Sequence, residues 1–323
     1  MKRPWALPLV PLYAAGTALR SLALRQGWEK INHLTAPVIS IGNISAGGTG
    51  KTPFVIALAQ LLHRQGIPGD ILSRGYGRNT AHAERVNPNG SAAQFGDEPL
   101  LIARQTDLPV YVAAKRFEAG QLAEAATPQS KLHLLDDGFQ HRQLARDIDI
   151  VLINSEDLAD SLLPAGNLRE SRSALKRANI FAIDSADEPA ATRLRALQLT
   201  QPIWRYRREM QVPKIAGPVV AFCGIARPSQ FFRGLEQSGL QLAARHAFSD
   251  HHSYTPQDLQ HLNDLAKTSK ATALITTEKD QIRLPNPNFA LPLQTTPLRI
   301  TFEDEPTIQS FLQTHLKQTK PHP

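Results

Sequence analysis

Val38-Ile39-Ser40-Ile41-Gly42-Asn43-Ile44-Ser45-Ala46-Gly47-Gly48-Thr49-Gly50-Lys51-Thr52-Pro53-Phe54-Val55-Ile56-Ala57-Leu58 reads as an apolar strand, a glycine-rich turn ending in Gly-Lys-Thr, and an apolar helix. That order is what a phosphate-binding loop requires. Glycines let backbone N–H groups converge on phosphate oxygens, and the helix N-terminus adds partial positive charge. In such a loop Lys51 reaches the β- and γ-phosphates and Thr52 can ligate Mg²⁺. The general pattern asks for glycine where this chain has Ser45, but Gly47, Gly48 and Gly50 still permit close backbone approach. Ser45, Ala46, Gly47, Gly48, Thr49, Gly50, Lys51 and Thr52 are therefore the candidate nucleotide-binding set. A glycine-rich turn that binds nothing is the competing reading, and the flanking strand and helix weigh against it.

The chain has 323 residues, enough for two domains, with 41% hydrophobic and 20% charged residues, which is ordinary globular composition. Disorder is expected only in the tail, residues 317–323. A single cysteine, Cys223, excludes an intramolecular disulfide and reads as a packed strand residue rather than a nucleophile. A formal charge of +7 and a pI near 9.6 favour acidic partners: nucleic acid, an anionic membrane or a phosphorylated substrate. No recognition helix, zinc-finger spacing or aromatic RNA-binding signature accompanies that charge, so nucleic acid is the weakest of the three. Nothing in the sequence points to a protein partner.

From Trp5 to Leu24 the chain is mostly apolar, but Pro8, Pro11 and Arg20 interrupt it, which suits neither a spanning helix nor a signal peptide. After Pro11, Leu12, Ala15, Leu19, Leu22 and Ala23 share one helical face. Flanked by Lys2, Arg3, Trp5, Arg25 and Trp28, this helix could lie in a membrane interface, or it could pack on its own domain.

Strand and helix patterns then alternate. Strands are expected at Val38–Ile41, Gly69–Leu72, Val110–Ala113, Lys131–Leu135, Ile148–Ile153 and Ile180–Ile183, with helices at Thr52–Gln65 and Glu98–Arg104. Alternation of this kind predicts a mostly parallel sheet with helices on both faces, ligands gathering at the strands' carboxyl ends. A break near Tyr206–Pro218 leads into a fresh strand at Val219–Phe222. The expected division is an N-terminal segment over residues 1–30, a nucleotide-binding domain over 31–212 and a smaller α/β domain over 213–323.

Other clusters could carry chemistry. Leu132 to Leu135 is an apolar strand running into Asp136-Asp137-Gly138, where a carboxylate could hold or orient Mg²⁺ beside the phosphates. Asp-Asp-Gly is also a common turn, and the Gly-Lys-Thr loop favours the metal reading. Gly96-Asp97-Glu98-Pro99 reads equally as a helix start or as a carboxylate able to accept a proton from an attacking hydroxyl. Ser73-Arg74-Gly75-Tyr76-Gly77-Arg78 is a flexible turn whose cations suit anions. Asp250-His251-His252 lacks a spaced third metal ligand. In Thr277-Glu278-Lys279-Asp280 the lysine and aspartate are adjacent, an order that argues against guanine recognition.

Taken in order with Gly166-Asn167-Leu168-Arg169-Glu170 and Gln140-His141, these segments resemble the tetraacyldisaccharide 4'-kinase family over nearly the whole chain. Ser45 matches that family's loop. The resemblance implies a phosphate-loop kinase core, a smaller C-terminal domain and a membrane-associating N-terminal helix. It also implies ATP- and Mg²⁺-dependent phosphorylation of the 4'-hydroxyl of an acylated disaccharide lipid, at the cytoplasmic face of the bacterial inner membrane. Carried over by motif, Asp97 is the base, paired with the histidine best matched by His251, the adjacent His252 being the alternative. Thr52 and Asp136 or Asp137 serve the metal, and Lys51 the transferring phosphate. Arg169 and Glu170 fall on a loop near the nucleotide. Arg74, Tyr76, Glu98, Lys115, Arg116 and His141 are assigned to the substrate and its charge. A nucleotide-dependent switch or chaperone ATPase, or a kinase for a soluble metabolite, would share the loop but would not need the N-terminal helix.

Overall fold

A computed structural model describes residues 3–285 and 288–318. Its strands are β1 Val38–Gly42, β2 Asp70–Ser73, β3 Glu84–Arg85, β4 Val110–Val112, β5 His133–Asp136, β6 Ile148–Ile153, β7 Ile180–Asp184, β8 Ile203–Met210, β9 Val219–Cys223, β10 Leu242–Ala247, β11 Ala273–Thr277, β12 Leu293–Thr296 and β13 Leu298–Phe302. The α-helices are α1 Val10–Arg25, α2 Lys51–Arg64, α3 Ala92–Phe95, α4 Asp97–Gln105, α5 Arg116–Ala126, α6 Ser155–Ala159, α7 Glu188–Ala196, α8 Pro228–Gln237, α9 Pro256–Thr268, α10 Glu278–Arg283 and α11 Glu305–Gln318.

Nine strands form one sheet in the order β13-β8-β7-β6-β1-β5-β2-β4-β3, parallel except at its two edges. β1 is central and buried at every position because helices cover both faces, so its sequence can be continuously apolar. Ile41 pairs in register with Asp136 of β5. The phosphate loop and the aspartate pair thus leave neighbouring strands at the same edge.

β9 to β12 form a second, all-parallel sheet in the order β10-β9-β11-β12. Cys223 ends its β9, buried and with burial pushing its thiol up to about 12, so it is inert packing. The chain does not end in this smaller layer. β13 returns to pair antiparallel with β8, so the stretch expected as one smaller unit, residues 213–323, contributes strands to both sheets. The physical reason is packing: Phe302 of β13 and Tyr206 of β8 both meet the ring of Phe54 on α2 edge-on, at 5.2 and 5.4 Å. From residue 319 onward the polar tail lies outside the described residues.

At the opposite end of the strands sits a buried polar cluster. His133 Nδ1 lies 2.7 Å from Asp70 Oδ1, and Ser130 donates to the second Asp70 oxygen at 2.8 Å. Burial disfavours the charged imidazole, but Asp70 and Glu124 outweigh it and hold the His133 pKa above its ordinary 6.5. A raised folded value means that the stabilisation is complete below the unfolded value and is lost as pH rises through the folded one. The melting temperature should therefore fall as pH rises past 6.5, and His133→Gln should flatten that slope. Asp70→Asn, which leaves half of a buried pair, should cost about 3–5 kcal/mol. An unchanged slope in His133→Gln would show that the pair does not carry the pH dependence.

Candidate active site

Gly42 must be glycine, since a Cβ there would stand 2.6 Å from the Phe139 Cβ. The close crossing brings the strand-end turn after β5 against the phosphate loop. Gly50 adopts φ +85 as it caps α2, a conformation favouring glycine. Lys51 follows as the first helical residue. Its Nζ donates to Asn43 Oδ1 at 3.1 Å and lies 3.4 Å from Asp137. Asn43 also donates to the Ser45 carbonyl and hydroxyl, at 2.9 and 3.0 Å. Ser45 in turn donates to buried Asp157 at 2.7 Å, which explains why serine stands where many such loops have glycine.

Ala46 N–H donates to the Asn167 carbonyl at 2.7 Å, and Arg169 N–H donates to Ile44 at 2.7 Å. The segment containing Arg169 and Glu170 is thereby stitched to the loop. The Arg169 side chain reaches Asp137 at 3.0 Å, whereas Glu170 turns to Arg177 at 2.9 Å and to Gln140 at 3.1 Å.

Asp136, Asp137 and Glu98 concentrate negative charge in front of α2. Burial, then Glu98 and Asp137, push Asp136 up to about 7. One of its oxygens accepts from Ser73 at 3.1 Å, and the other is buried without a partner. Burial would raise Asp137 too, but Lys51 and Arg169 prevail and hold it below the usual carboxylate range. An orphaned carboxylate oxygen beside two further carboxylates fits a divalent cation. Among the described residues no three His, Cys, Asp or Glu converge as a metal cage. Mg²⁺ needs only one or two carboxylates, with substrate phosphates and a hydroxyl such as that of buried Thr52 completing its shell.

Asp97 opens α4, with Gly96 as its N-cap. Its Oδ2 lies 3.0 Å from His251 Nδ1, a contact between residues 154 apart in sequence. The alternative histidine is engaged elsewhere, since His252 meets Asp258 at 3.0 Å and stacks on Phe248. Burial alone would raise Asp97, yet the hydrogen bond from His251 and the charges of Lys279 and Arg283 bring it down to about 2. The same hydrogen bond raises His251. The Tyr76 ring lies 5.4 Å from that of His251, largely exposed. Neighbouring Glu98 pairs with Lys279.

Burial, then Arg116, Arg146, Arg20 and Arg74, push His141 down to about 4. Four guanidinium groups thus act on one imidazole. Arg116 is buried there, whereas Lys115, at the N-cap of α5, is 79% exposed and pairs with Glu118 on the surface. Lys115, expected beside Arg116 at the substrate, thus lies on the surface while Arg116 lies inside. Asn43, Gln140 and Arg283 were not assigned roles from sequence. Asn43 lies in the run Gly42–Thr52 and Gln140 in the run Asp136–His141, and Arg283 lies one helical turn past Asp280.

Known proteins resemble this chain in sequence and fold. The family described as Tetraacyldisaccharide-1-P 4'-kinase matches residues 3–317. A tetraacyldisaccharide 4'-kinase of Koribacter versatilis (strain Ellin345) is 42% identical over 288 residues, covering 86% of this chain and 88% of that protein. One from Desulfotalea psychrophila is 34% identical, covering 92% of each. The crystal structure of LpxK from Aquifex aeolicus in complex with ATP superposes with a TM-score of 0.76 at 29% identity, covering 96% of this chain and 98% of that one. The chain belongs to the tetraacyldisaccharide 4'-kinase family.

Proposed function

We propose that this kinase transfers the γ-phosphate of ATP to the 4'-hydroxyl of a tetraacylated glucosamine disaccharide 1-phosphate, a lipid A precursor, at the cytoplasmic face of the inner membrane. The observation that carries the reading is the contact of Asp97 with His251, at 3.0 Å, beside the phosphate loop. In phosphoryl transfer the protein mainly positions groups and neutralises charge. The loop amides and α2 would cradle the phosphates, and Lys51 would leave Asn43 and Asp137 for them. Thr52 with Asp136 or Asp137 would hold Mg²⁺, which when bound neutralises charge on the bridging phosphates. Asp97 would take the sugar hydroxyl proton late, when that proton has become acidic, with His251 sharing it as one titrating unit. Arg74, Arg116 and His141 fit the acceptor's own phosphate.

The N-terminal helix supports a bilayer substrate. It docks on its domain through Tyr13, which donates to the Arg169 carbonyl at 3.0 Å, and through Ser21, which accepts from Arg142 at 3.1 Å. The opposite face is bare: Leu12 is 74% exposed and Leu19 66%, with Trp5 at 76%. One face of the segment thus packs on the domain, and the other is compatible with a membrane interface. Pro4–Leu24 is 21 residues long with a mean hydropathy of 1.3, and its lateral docking suits an interfacial position better than a spanning one.

The test is transfer of labelled γ-phosphate from ATP to the disaccharide lipid in anionic vesicles, with the same vesicles lacking the disaccharide lipid as control. Label should enter the lipid only. Leu12→Glu combined with Leu19→Glu should release the protein from vesicles and raise the apparent KM for lipid while leaving the KM for ATP in place. Transfer to water alone would sink the kinase reading, and unchanged partitioning would reduce the helix to a structural role.

A further inference from the structure

The segment Thr277-Glu278-Lys279-Asp280 opens α10, which works as a bracket between the two sheets. Glu278 pairs with Arg299 of β13 at 2.9 Å, and Lys279 binds Glu98 of α4. Asp280, fully buried, accepts from Gly224 N–H at 2.8 Å and from the Tyr254 hydroxyl at 2.7 Å. Arg283 closes the helix with its side chain 7% exposed.

The Arg283 guanidinium donates to the Gly224 carbonyl at 2.9 Å, to Asp280 at 2.9 Å and to the His252 carbonyl at 3.3 Å. Its Nε stands 3.7 Å from Asp97 Oδ2, the oxygen that His251 Nδ1 contacts. Gly224 O also accepts from the His251 backbone N–H at 3.2 Å. His251 has φ +57, a left-handed conformation that a residue with a side chain keeps only where its surroundings over-determine it. Arg283 is among the groups that constrain it, because its planar fork holds the Gly224 and His252 carbonyls around His251 and faces the acid that His251 contacts.

We propose that Arg283 is a positioning residue for the Asp97–His251 pair: it fixes the histidine-bearing loop of the smaller layer against the acid on α4 of the larger one. The inference rests on the reading of Asp97 and His251 as the catalytic pair. A lysine at this position would supply charge without the fixed fork, so it would not hold three oxygens at set angles.

Arg283→Met should lower kcat about 10- to 100-fold, the scale of a misplaced reacting group, while the KM for ATP holds. Arg283→Lys should recover only part of the loss. In a His251→Ala background the same change should cost little more, because no imidazole is left to place. Arg299→Met removes a bracket contact that does not touch the pair, and its kcat should stay near that of the unaltered protein. Losses that add to those of His251→Ala, or an Arg299→Met variant as slow as Arg283→Met, would overturn the proposal and leave Arg283 as a domain brace. If His251→Ala alone left kcat intact, the assignment of the pair itself would fall, and this inference with it. Should Arg283→Met not fold, the cycle run with Arg283→Lys decides the matter.

Discussion

Lys51→Ala should fold with a melting temperature close to that of the unaltered protein and lose about 10²–10³ or more in kcat, the cost of deleting a preorganised charge aimed at the reacting group. Stability should survive because Lys51 contributes nothing to the apolar core. Its partners are Asn43 and Asp137 on the loop side, and Asp137 keeps Arg169 at 3.0 Å when the lysine is gone. Catalysis should not survive, because Arg169 stays tied to Asp137, and Arg208, which approaches Gly50 at the start of α2, is held by Asp184. ATP should also raise the melting temperature of the unaltered protein more than that of the variant, since ligand stabilisation follows affinity for the folded state. A folded Lys51→Ala protein with near-normal turnover would end the phosphate-loop hypothesis.

What could be read along the chain was the local pattern. The run from Val38 to Leu58 carries its strand, its loop and its helix within one continuous segment, and β1 and α2 formed there because burial on both sides tolerates an unbroken apolar string. β8 was missed as a strand. Its sequence Ile-Trp-Arg-Tyr-Arg-Arg-Glu-Met alternates half-buried Ile203 and Arg205 with buried Trp204 and Tyr206 only in its first half, and its antiparallel partner β13 lies about ninety residues away. The bracket through α10 was invisible for the same reason: Glu98–Lys279 and Asp97–Arg283 span the chain, and no periodicity reports contacts of that range. Lys115 and Arg116 show how finely the outcome can turn. One residue at the start of α5 separates an exposed ammonium from a buried guanidinium, and composition treats the two alike.

Asp97→Asn keeps the size of the side chain, and its expected cost is about 10²–10⁴ in kcat, the range of a positioned general base. The KM for ATP should change little, because Lys51 and the loop amides hold the phosphates. The carboxylate is held at about 2, mainly against burial and by the His251 hydrogen bond, so it is ionised at every pH at which the enzyme would be assayed. Such a carboxylate is a weak base toward a free alcohol. It suits a step in which the hydroxyl proton becomes acidic only as the bond to phosphorus forms. His251→Ala should then be damaging as well, since the imidazole at 3.0 Å both orients the acid and can share its proton. If the two act as one unit, the double variant should be hardly slower than the slower single one. His252→Ala should be mild in kcat, because that ring serves Asp258 and Phe248 at the head of α9. Additive losses at Asp97 and His251, or a larger loss at His252 than at His251, would dissolve the pair. Asp97 would then be left as a structural first-turn acid of α4, accepting the Glu98 N–H at 2.9 Å.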